Sequence, residues 1–371
     1  MRIGIDFHSA AREGSGNCTY IRNLVENLIR IDKENEYYLY ILDIQYPYYN
    51  KFKNIENVKL RLLPIKNPLL RIPLLGLKTY VDKIDILHVQ YVAPPFYSGK
   101  LVVMIHDIGF VHYPECFRRH EYIRQKLLIP INIKKADIVL TDSISSKADI
   151  VNIYNPEEAK VKVIYHGVTS EYTTLADLKN AKGILTGFYE IESNFILFVG
   201  RIDARKNIGS LINAFLFLKE KENISHKLVI AGKKDFLPDR LLRELKNSEY
   251  DNDIIFTGYI QEEHLPLLYN LADVFVYPSL YEGFGLPCLE AMACGCPVVS
   301  SNISSIPEVI GDAGMLIDPA NVQEMASAIY EIISKKELKE DLRNKGLLRA
   351  TQFSWENTAK KTLEVYYSIT S

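Results

Sequence analysis

The residues best suited to chemistry lie in one stretch, Tyr281–Val299, which reads YEGFGLPCLEAMACGCPVV. Two carboxylates, Glu282 and Glu290, flank a glycine loop that leads into a helix beginning near Pro287. The first N–H groups of a helix bind anions, and ionised carboxylates accept hydrogen bonds from hydroxyl groups. A sugar nucleotide carries both phosphate and hydroxyl groups. The alternative is a plain strand-to-helix turn with an acidic first turn.

A pair of cations forms a second candidate, in the segment RIDARKN that follows the apolar run Phe195–Gly200. Arg201 and Lys206 are five residues apart and precede a helix expected to begin at Ile208. Arginine can hold two phosphate oxygens and lysine acts as a point charge, so the pair could clamp a diphosphate. A solvated basic turn is the alternative, and Arg205 is a second candidate for the arginine.

Two candidates follow predicted strands in the N-terminal half. His106, with Asp107, ends the apolar run LVVMI, and the carboxyl ends of parallel strands line ligand sites in open α/β sheets. A structural histidine is the alternative. Gly16 closes a GSG loop between the first strand and a helix predicted over Thr19–Arg30. The dinucleotide fingerprint G-x-G-x-x-G is absent, so a plain turn stays open here.

These residues need a scaffold of alternating strands and helices, which the apolar pattern predicts. The predicted strands are Arg2–Phe7, Tyr37–Leu42, Val58–Leu63, Ile84–Val89, Leu101–Ile105, Ile138–Thr141, Val161–Gly167, Phe195–Gly200, Lys227–Ala231, Ile254–Phe256, Asp273–Tyr277, one from Val298 and one ending at Ile317–Pro319. A chain of 371 residues favours two domains. Val168–Ser193 has no strand pattern, so the boundary is predicted near its start. Ser145 is predicted to cap the helix after the sixth strand.

Composition narrows the class of protein. With 47% hydrophobic and 24% charged residues the chain is typical of a globular protein, and its net charge of -2 argues against nucleic acid as a partner. The five cysteines show no zinc spacing, and reduced thiols fit the cytoplasm. Met1 leads directly into a strand, so no signal peptide is expected. No apolar run reaches about 18 residues, so no membrane span is expected.

One apolar run is open to two interpretations. Residues 67–80, NPLLRIPLLGLKTY, carry interspersed cations, as a membrane-surface element does. Their two prolines and one glycine favour instead a broken core segment or a loop on the acceptor side.

The stretch around Glu282 and Glu290 resembles the E-x7-E motif of retaining glycosyltransferases with the GT-B fold, group 1 (family 4), and the similarity extends along nearly the whole chain. The resemblance implies an α/β protein of two Rossmann-like domains facing a cleft. Residues 1–170, joined by a C-terminal helix at 356–371 that crosses back to them, would bind the acceptor. Residues 171–355 would bind the nucleotide sugar.

The resemblance also implies roles for single residues. Glu282 would bind hydroxyl groups of the donor sugar, Glu290 the ribose hydroxyls, and His106 would orient the sugar. The implied catalytic set is His106, Arg201, Lys206 and Glu282. The implied substrate-binding set is Gly16 near the diphosphate, Tyr259 and Ile260 near the nucleobase, and Gly283, Phe284, Gly285, Leu286 and Glu290 around the phosphates and ribose.

The predicted reaction is transfer of a sugar from a nucleotide-sugar donor to a hydroxyl of a glycan or lipid-linked glycan, with retention of configuration, in cell-surface polysaccharide or glycolipid assembly. The segments RIDARKN and SLYEGFGLP resemble those of family members that use GDP-mannose, and UDP-sugars remain the alternative. An epimerase of the same architecture and a non-enzymatic two-lobed sugar-binding protein are further alternatives. The E-x7-E pair argues against the epimerase, and the clustered phosphate-binding groups argue against the binding protein.

Predicted partners and cofactors complete the hypothesis. No nucleic acid and no metal cofactor are expected: the D-x-D sequence Asp251–Asp253 precedes a strand and is interpreted as a turn. The protein is expected in the cytoplasm, with peripheral contact to the inner face of the membrane through the N-terminal domain as an option. The sequence makes no prediction of oligomeric state.

Overall fold

The computed structural model describes residues 1–192, 194–232, 245 and 248–370. The chain divides into two compact units. The first unit joins Met1–Gly167 to the segment that begins at Ser354, and the second unit is Val168–Phe353. The boundaries therefore lie at 167/168 and 353/354, against the predicted 170/171 and 355/356.

The first unit is built on a seven-stranded parallel sheet of order β3-β2-β1-β4-β5-β6-β7. Its strands are β1 (Arg2–Asp6), β2 (Glu36–Ile41), β3 (Val58–Leu62), β4 (Ile86–Gln90), β5 (Lys100–Met104), β6 (Ile138–Thr141) and β7 (Val161–Val163). Its helices are α1 (Gly16–Ile31), α2 (Pro68–Asp82), α3 (Gly109–His112), α4 (Arg119–Lys135) and α5 (Ile144–Tyr154). Parallel sheets are covered on both faces, which explains why the strands read as apolar runs.

The second unit repeats this plan with six parallel strands of order β10-β9-β8-β11-β12-β13. They are β8 (Phe195–Val199), β9 (Lys227–Ala231), β10 (Ile254–Gly258), β11 (Val274–Tyr277), β12 (Val298–Ser301) and β13 (Met315–Ile317). Among the described residues the helices are α6 (Leu178–Tyr189), α7 (Ile208–Glu222), α8 (Leu265–Leu271), α9 (Leu286–Ala293), α10 (Ile306–Ile310), α11 (Val322–Ser334) and α12 (Lys336–Ala350).

The last helix, α13 (Trp355–Ser368), returns to the first unit and packs against α1. Its Tyr366 hydroxyl lies 2.6 Å from Nδ1 of His88, a fully buried histidine in the central strand β4. Burial lowers the pKa of His88 to about 3, so this imidazole is neutral at physiological pH. The predicted helix at 356–371 thus contributes to the core of the first unit.

Two predictions about local structure are wrong. Residues 68–82 form a continuous helix, α2, rather than a broken core segment or a loop: Asn67 caps it by accepting from Leu69 N at 3.0 Å, and Pro68 takes the first helical position. Pro73 then removes only one backbone hydrogen bond. The helix that follows β6 is capped by Ser143, which accepts from Ser146 N at 3.0 Å, and not by Ser145.

The stretch predicted to be irregular after residue 168 contains a further helix, α6, where Asp177 accepts from Asn180 N at 3.0 Å. The capping residue was present in the sequence, but the polar composition hid the helical period. Within the residues that the structure describes, no helix is both long enough and apolar enough to cross a bilayer.

Candidate active site

The predicted donor-binding residues lie at one edge of the second sheet. Its strand order reverses between β8 and β11, and ligands of open α/β sheets bind beyond the carboxyl ends of the strands at such a reversal. Arg201 follows β8, Tyr259 follows β10, and the loop of Glu282 follows β11. The parallel register carries all three segments to the same edge of the sheet.

Lys206 is the cation most firmly positioned at this edge. It ends a short 3-10 helix, Ala204–Lys206, that Asp203 caps by accepting from Arg205 N at 3.0 Å. Although only 8% exposed, Lys206 forms an ion pair with Glu282 and donates to the Tyr277 hydroxyl at 2.6 Å. Burial next to Glu282 raises the pKa of Tyr277 well above its ordinary value, so the phenol stays neutral.

The structure separates the roles of the two candidate arginines. The Arg205 guanidinium lies 3.2 Å from the Asp203 carboxylate, and its backbone carbonyl accepts from Leu280 N at 2.7 Å. Arg205 therefore ties the two loops of the site together. Arg201 has an exposed side chain directly after β8, which favours Arg201 as the arginine that reaches a ligand.

The glycine loop is held by two serines from the turn after β12. Glu282 N donates to Ser304 Oγ at 3.1 Å, and the Glu282 carbonyl accepts from the hydroxyl groups of Ser304 at 2.8 Å and Ser305 at 2.9 Å. Gly285, with φ of +101°, is the N-cap residue of α9, and a Cβ at this position would lie 2.7 Å from Ile306 Cδ1. A glycine is therefore required at position 285 for the loop of Gly283, Phe284, Gly285 and Leu286 to turn into α9.

Glu290 has a different environment from Glu282. The Tyr269 hydroxyl donates to Glu290 Oε2 at 3.1 Å, and the Tyr172 hydroxyl is also hydrogen-bonded to this carboxyl group. Burial raises the pKa of Glu290 to about 7, although the two phenols act in the opposite direction. One carboxylate of the E-x7-E pair is thus paired with a cation, and the other is surrounded by neutral donors.

The predicted nucleobase neighbours divide into a surface residue and a core residue. Tyr259 is 48% exposed, whereas Ile260 is 4% exposed and belongs to the core. Gly258, with φ of +70°, turns the chain after β10. Tyr259 is therefore the better candidate for stacking on a base.

In the first unit, His106 lies inside a network of buried polar side chains. Its Nδ1 is 2.8 Å from Asp142 Oδ2 and its Nε2 is 3.0 Å from Gln90 Oε1. The other Asp142 oxygen lies 2.7 Å from His166 Nε2. Burial raises the pKa of Asp142, but the two histidines outweigh burial and lower it to about 2. Ionised Asp142 can only accept, so it fixes a proton on His106 Nδ1.

Sequence reasoning did not find Gln90, Asp142 and His166 as members of this network. A signal existed, because Gln90 ends β4, Asp142 directly follows β6, and His166 comes shortly after β7. His106, Asp142 and His166 also offer ligand atoms within 4.8 Å of one another, the only such group that the described residues contain. Asp142 links the two histidines, because each of its carboxylate oxygens lies within 2.8 Å of one imidazole nitrogen.

Gly16 is the first residue of α1, with Ser15 as the cap that accepts from Cys18 N at 3.3 Å. A Cβ built at Gly16 would meet no atom within 4 Å, so no packing constraint explains the glycine. The open backbone here is consistent with a ligand that approaches closely.

Two family models match the chain. Residues 16–172 match the model described as Glycosyltransferase Family 4, and residues 189–349 match the model described as Glycosyl transferases group 1. Among curated proteins, the O-antigen chain mannosyltransferase B of Escherichia coli is 32% identical over 295 residues, which cover 78% of this chain and 76% of that protein.

Solved structures resemble the whole chain. Sucrose-phosphate synthase from Thermosynechococcus elongatus superposes with a TM-score of 0.77 at 22% identity, covering 99% of this chain and 98% of that one. HepE from Anabaena, in complex with UDP and glucose, gives a TM-score of 0.75 at 18% identity, covering 99% of this chain and 100% of that one. At these identities the likeness establishes the fold alone.

Proposed function

This chain belongs to the group 1 glycosyltransferases and has their GT-B fold, and we propose that it transfers mannose from GDP-mannose to a hydroxyl of a growing cell-surface glycan, with retention of configuration. The family and the fold class predicted from the sequence are thereby confirmed. The epimerase and the non-enzymatic binding protein are excluded by the same membership.

The observation that carries the proposal is the position of Lys206. A buried lysine at the reversal of the second sheet, next to a glycine loop and the start of α9, is well placed to stabilise a departing diphosphate. Arg201 supplies a second cation from the same strand end. Glu282 and Glu290 supply the acceptors that hydroxyl groups of sugar and ribose need.

The proposed chemistry is front-face transfer. The bond between the anomeric carbon and the diphosphate breaks while the acceptor oxygen bonds to the same face of the sugar. The leaving phosphate takes the acceptor proton, so no side chain has to act as the base. His106 orients the donor sugar in this scheme, with Asp142 as its partner.

Mannose and the glycan setting are supported by the name of the Escherichia coli relative, an O-antigen chain mannosyltransferase. We further propose that the enzyme needs no metal cofactor and acts in the cytoplasm, where its five free cysteines would remain reduced. Peripheral contact with the membrane through the first unit is part of the proposal. It is supported by the exposed apolar side chains of α2, among them Leu69, Leu77 and Val81.

The test is a donor panel with a glycan acceptor mixture. GDP-mannose, GDP-glucose, UDP-glucose and UDP-galactose would be supplied separately, and the release of nucleoside diphosphate would be measured. We expect release with GDP-mannose, and an α-configured product when the anomeric proton is read by NMR. Turnover with a UDP-sugar alone would overturn the donor, and a β-configured product would overturn the mechanism.

A further inference from the structure

Arg71 is a buried arginine of the first unit whose hydrogen-bond donors are only partly satisfied. Arg71, in the first turns of α2, is 5% exposed, and its Nη2 lies 3.2 Å from His8 Nε2. His8 Nδ1 in turn lies 2.7 Å from Asp6 Oδ1, at the carboxyl end of β1. Among the described residues, Arg71 Nη1 is buried without a hydrogen-bond partner. A buried N–H group of a guanidinium requires an acceptor.

Cations outnumber carboxylates around Arg71. Burial lowers the pKa of Arg71, and the charges of Arg12 and Arg124 lower it further, while Asp6 acts in the opposite direction. Arg12 and Arg124 have exposed side chains. Arg71, on α2, therefore interacts electrostatically with Arg12, from the loop after β1, with Arg124, from α4, and with one buried carboxylate, Asp6. Such an arrangement attracts an anion, and guanidinium groups match phosphate in geometry.

Exposed apolar side chains border these arginines. Leu69 and Leu70, next to Arg71 on α2, are 80% and 61% exposed. Ile123 and Leu127, on either side of Arg124, are 45% and 62% exposed and lie on one face of α4. Exposed apolar residues beside cations are typical of a surface that receives an amphiphile with an anionic head.

The charge of α4 agrees with this interpretation. Residues 118–135 contain six lysines and arginines and one glutamate, in a chain whose net charge is -2. The cations are therefore concentrated on the element that also exposes Ile123 and Leu127. A soluble sugar acceptor would need neither the concentrated charge nor the apolar border.

We propose that Arg12, Arg71 and Arg124 bind the phosphate of a lipid-linked acceptor, whose apolar chain lies against the exposed leucines and isoleucine of α2 and α4. This inference rests on the proposed function, since it names the chemical class of that reaction's acceptor. It also assigns a task to α2, the element whose helical structure the sequence did not predict.

The experiment compares three probes by calorimetry on the full chain: farnesyl phosphate, inorganic phosphate and farnesol. The phosphate monoester combines the two features of the proposed acceptor, and the other probes each carry one. We expect farnesyl phosphate to bind at least about tenfold more tightly than either of the others. Arg124→Gln and Leu127→Ser should each weaken farnesyl phosphate binding, by about tenfold for the charge change. Lys361→Gln, an exposed cation on α13, is the matched control and should change nothing.

Arg71→Gln tests the buried member of the cluster and is read together with thermal unfolding. Arg124 is exposed, so the result with Arg124→Gln stands even where Arg71→Gln unfolds. GDP binding is measured on every variant. Equal binding of farnesyl phosphate and inorganic phosphate, or unchanged binding in both Arg124→Gln and Leu127→Ser, overturns the lipid-phosphate site. Failure of the unmodified protein to bind GDP would overturn the proposed function, but it would leave this site standing.

Discussion

Lys206 and Glu282 follow two strands that lie side by side in the second sheet, β8 and β11, and their side chains form an ion pair. The side chains are 10% and 13% exposed. The Tyr277 hydroxyl accepts a second hydrogen bond from Lys206. Because an ammonium group has three N–H donors, one more can serve a phosphate oxygen without breaking the pair.

Lys206→Ala should slow sugar transfer by about a hundredfold, which corresponds to about 3 kcal/mol of lost electrostatic stabilisation in the transition state. Initial rates with saturating GDP-mannose measure the effect. Lys221→Ala, an exposed lysine on α7, is the control. Turnover of Lys206→Ala within about a factor of two of the parent would contradict the assignment.

Substitutions of Glu282 and of Glu290 should differ in their effect on the affinity for GDP. Glu290→Ala should weaken GDP binding, since a hydrogen bond to a charged group contributes about 1.5–3 kcal/mol. Glu282→Ala should leave GDP binding nearly intact, because Glu282 is assigned to the donor sugar, which GDP lacks, but it should impair transfer. Calorimetry with GDP compares the two. Equal losses in affinity would refute the division of roles.

The raised pKa of Glu290 predicts a pH dependence of donor binding. Below pH about 7 the carboxyl group is protonated and accepts poorly from ribose hydroxyls, so affinity should rise as pH increases through this value. GDP-mannose is the ligand to use, because its diphosphate diester does not titrate near neutral pH as a terminal phosphate does, with a pKa of about 6. Glu290→Gln should abolish the dependence, and an unchanged pH profile in this variant would contradict the prediction.

The raised pKa of Glu290 also predicts how the free energy of unfolding changes with pH. Folding raises the pKa of Glu290 from its ordinary value of 4.5 to about 7, so the folded state binds the proton more tightly. The stabilisation is fully present below the ordinary pKa and is lost as pH rises through the folded value. Unfolding in urea at several pH values measures it, with Glu290→Gln as the reference that should lack this component.

Asp142→Asn should slow transfer while leaving GDP affinity unchanged, because Asp142 holds the Nδ1 proton of His106 and takes no part in nucleotide binding. An asparagine offers one oxygen acceptor and one nitrogen donor, so it cannot accept from His106 and His166 together. We expect a reduction in kcat of about tenfold or more. The ring nitrogen shifts of His106 in NMR should change in the same variant. Unchanged kcat alongside lowered thermal stability would assign the network a purely structural role.

Metal independence is tested by initial rates in excess chelator. The run Asp251–Asp253 forms a 3-10 helix directly before β10, and Asp253 pairs with Lys219 at 2.6 Å. The amino end of a parallel strand is the end away from the ligand edge. We expect full activity in chelator and in Asp251→Asn and Asp253→Asn. Activity lost in chelator, restored by magnesium or manganese and mirrored by either variant, would overturn the prediction.

The strands could be predicted from the sequence because parallel strands buried on both faces leave unbroken apolar runs such as LVVMI before His106. The glycine loop of Glu282 was also predictable, since its constraints are local: Gly285 needs a positive φ, and Pro287 suits the first turn of a helix. Because β8 and β11 are neighbours in the second sheet, the loops that follow them bring Lys206 next to Glu282.

The elements that the sequence did not predict depend on partners far along the chain. The His106 network joins the ends of β4, β5, β6 and β7, so no short window contains two of its members. For α2, the count of prolines suggested a break, whereas Pro68 lies where a helix accepts proline and Pro73 costs a single hydrogen bond. The His106 network and the continuity of α2 both depend on where residues lie in the structure and not on how many of each type the sequence contains.

The placement of α13 bears on the order in which the protein matures during synthesis. The helix α1 and the buried His88 are covered in part by α13, which is synthesised only after the second unit, Val168–Phe353. Domains commonly mature from the N-terminus onward. In this protein the nascent chain must carry an incomplete first unit while the second is made, because part of the cover of the first core comes from α13.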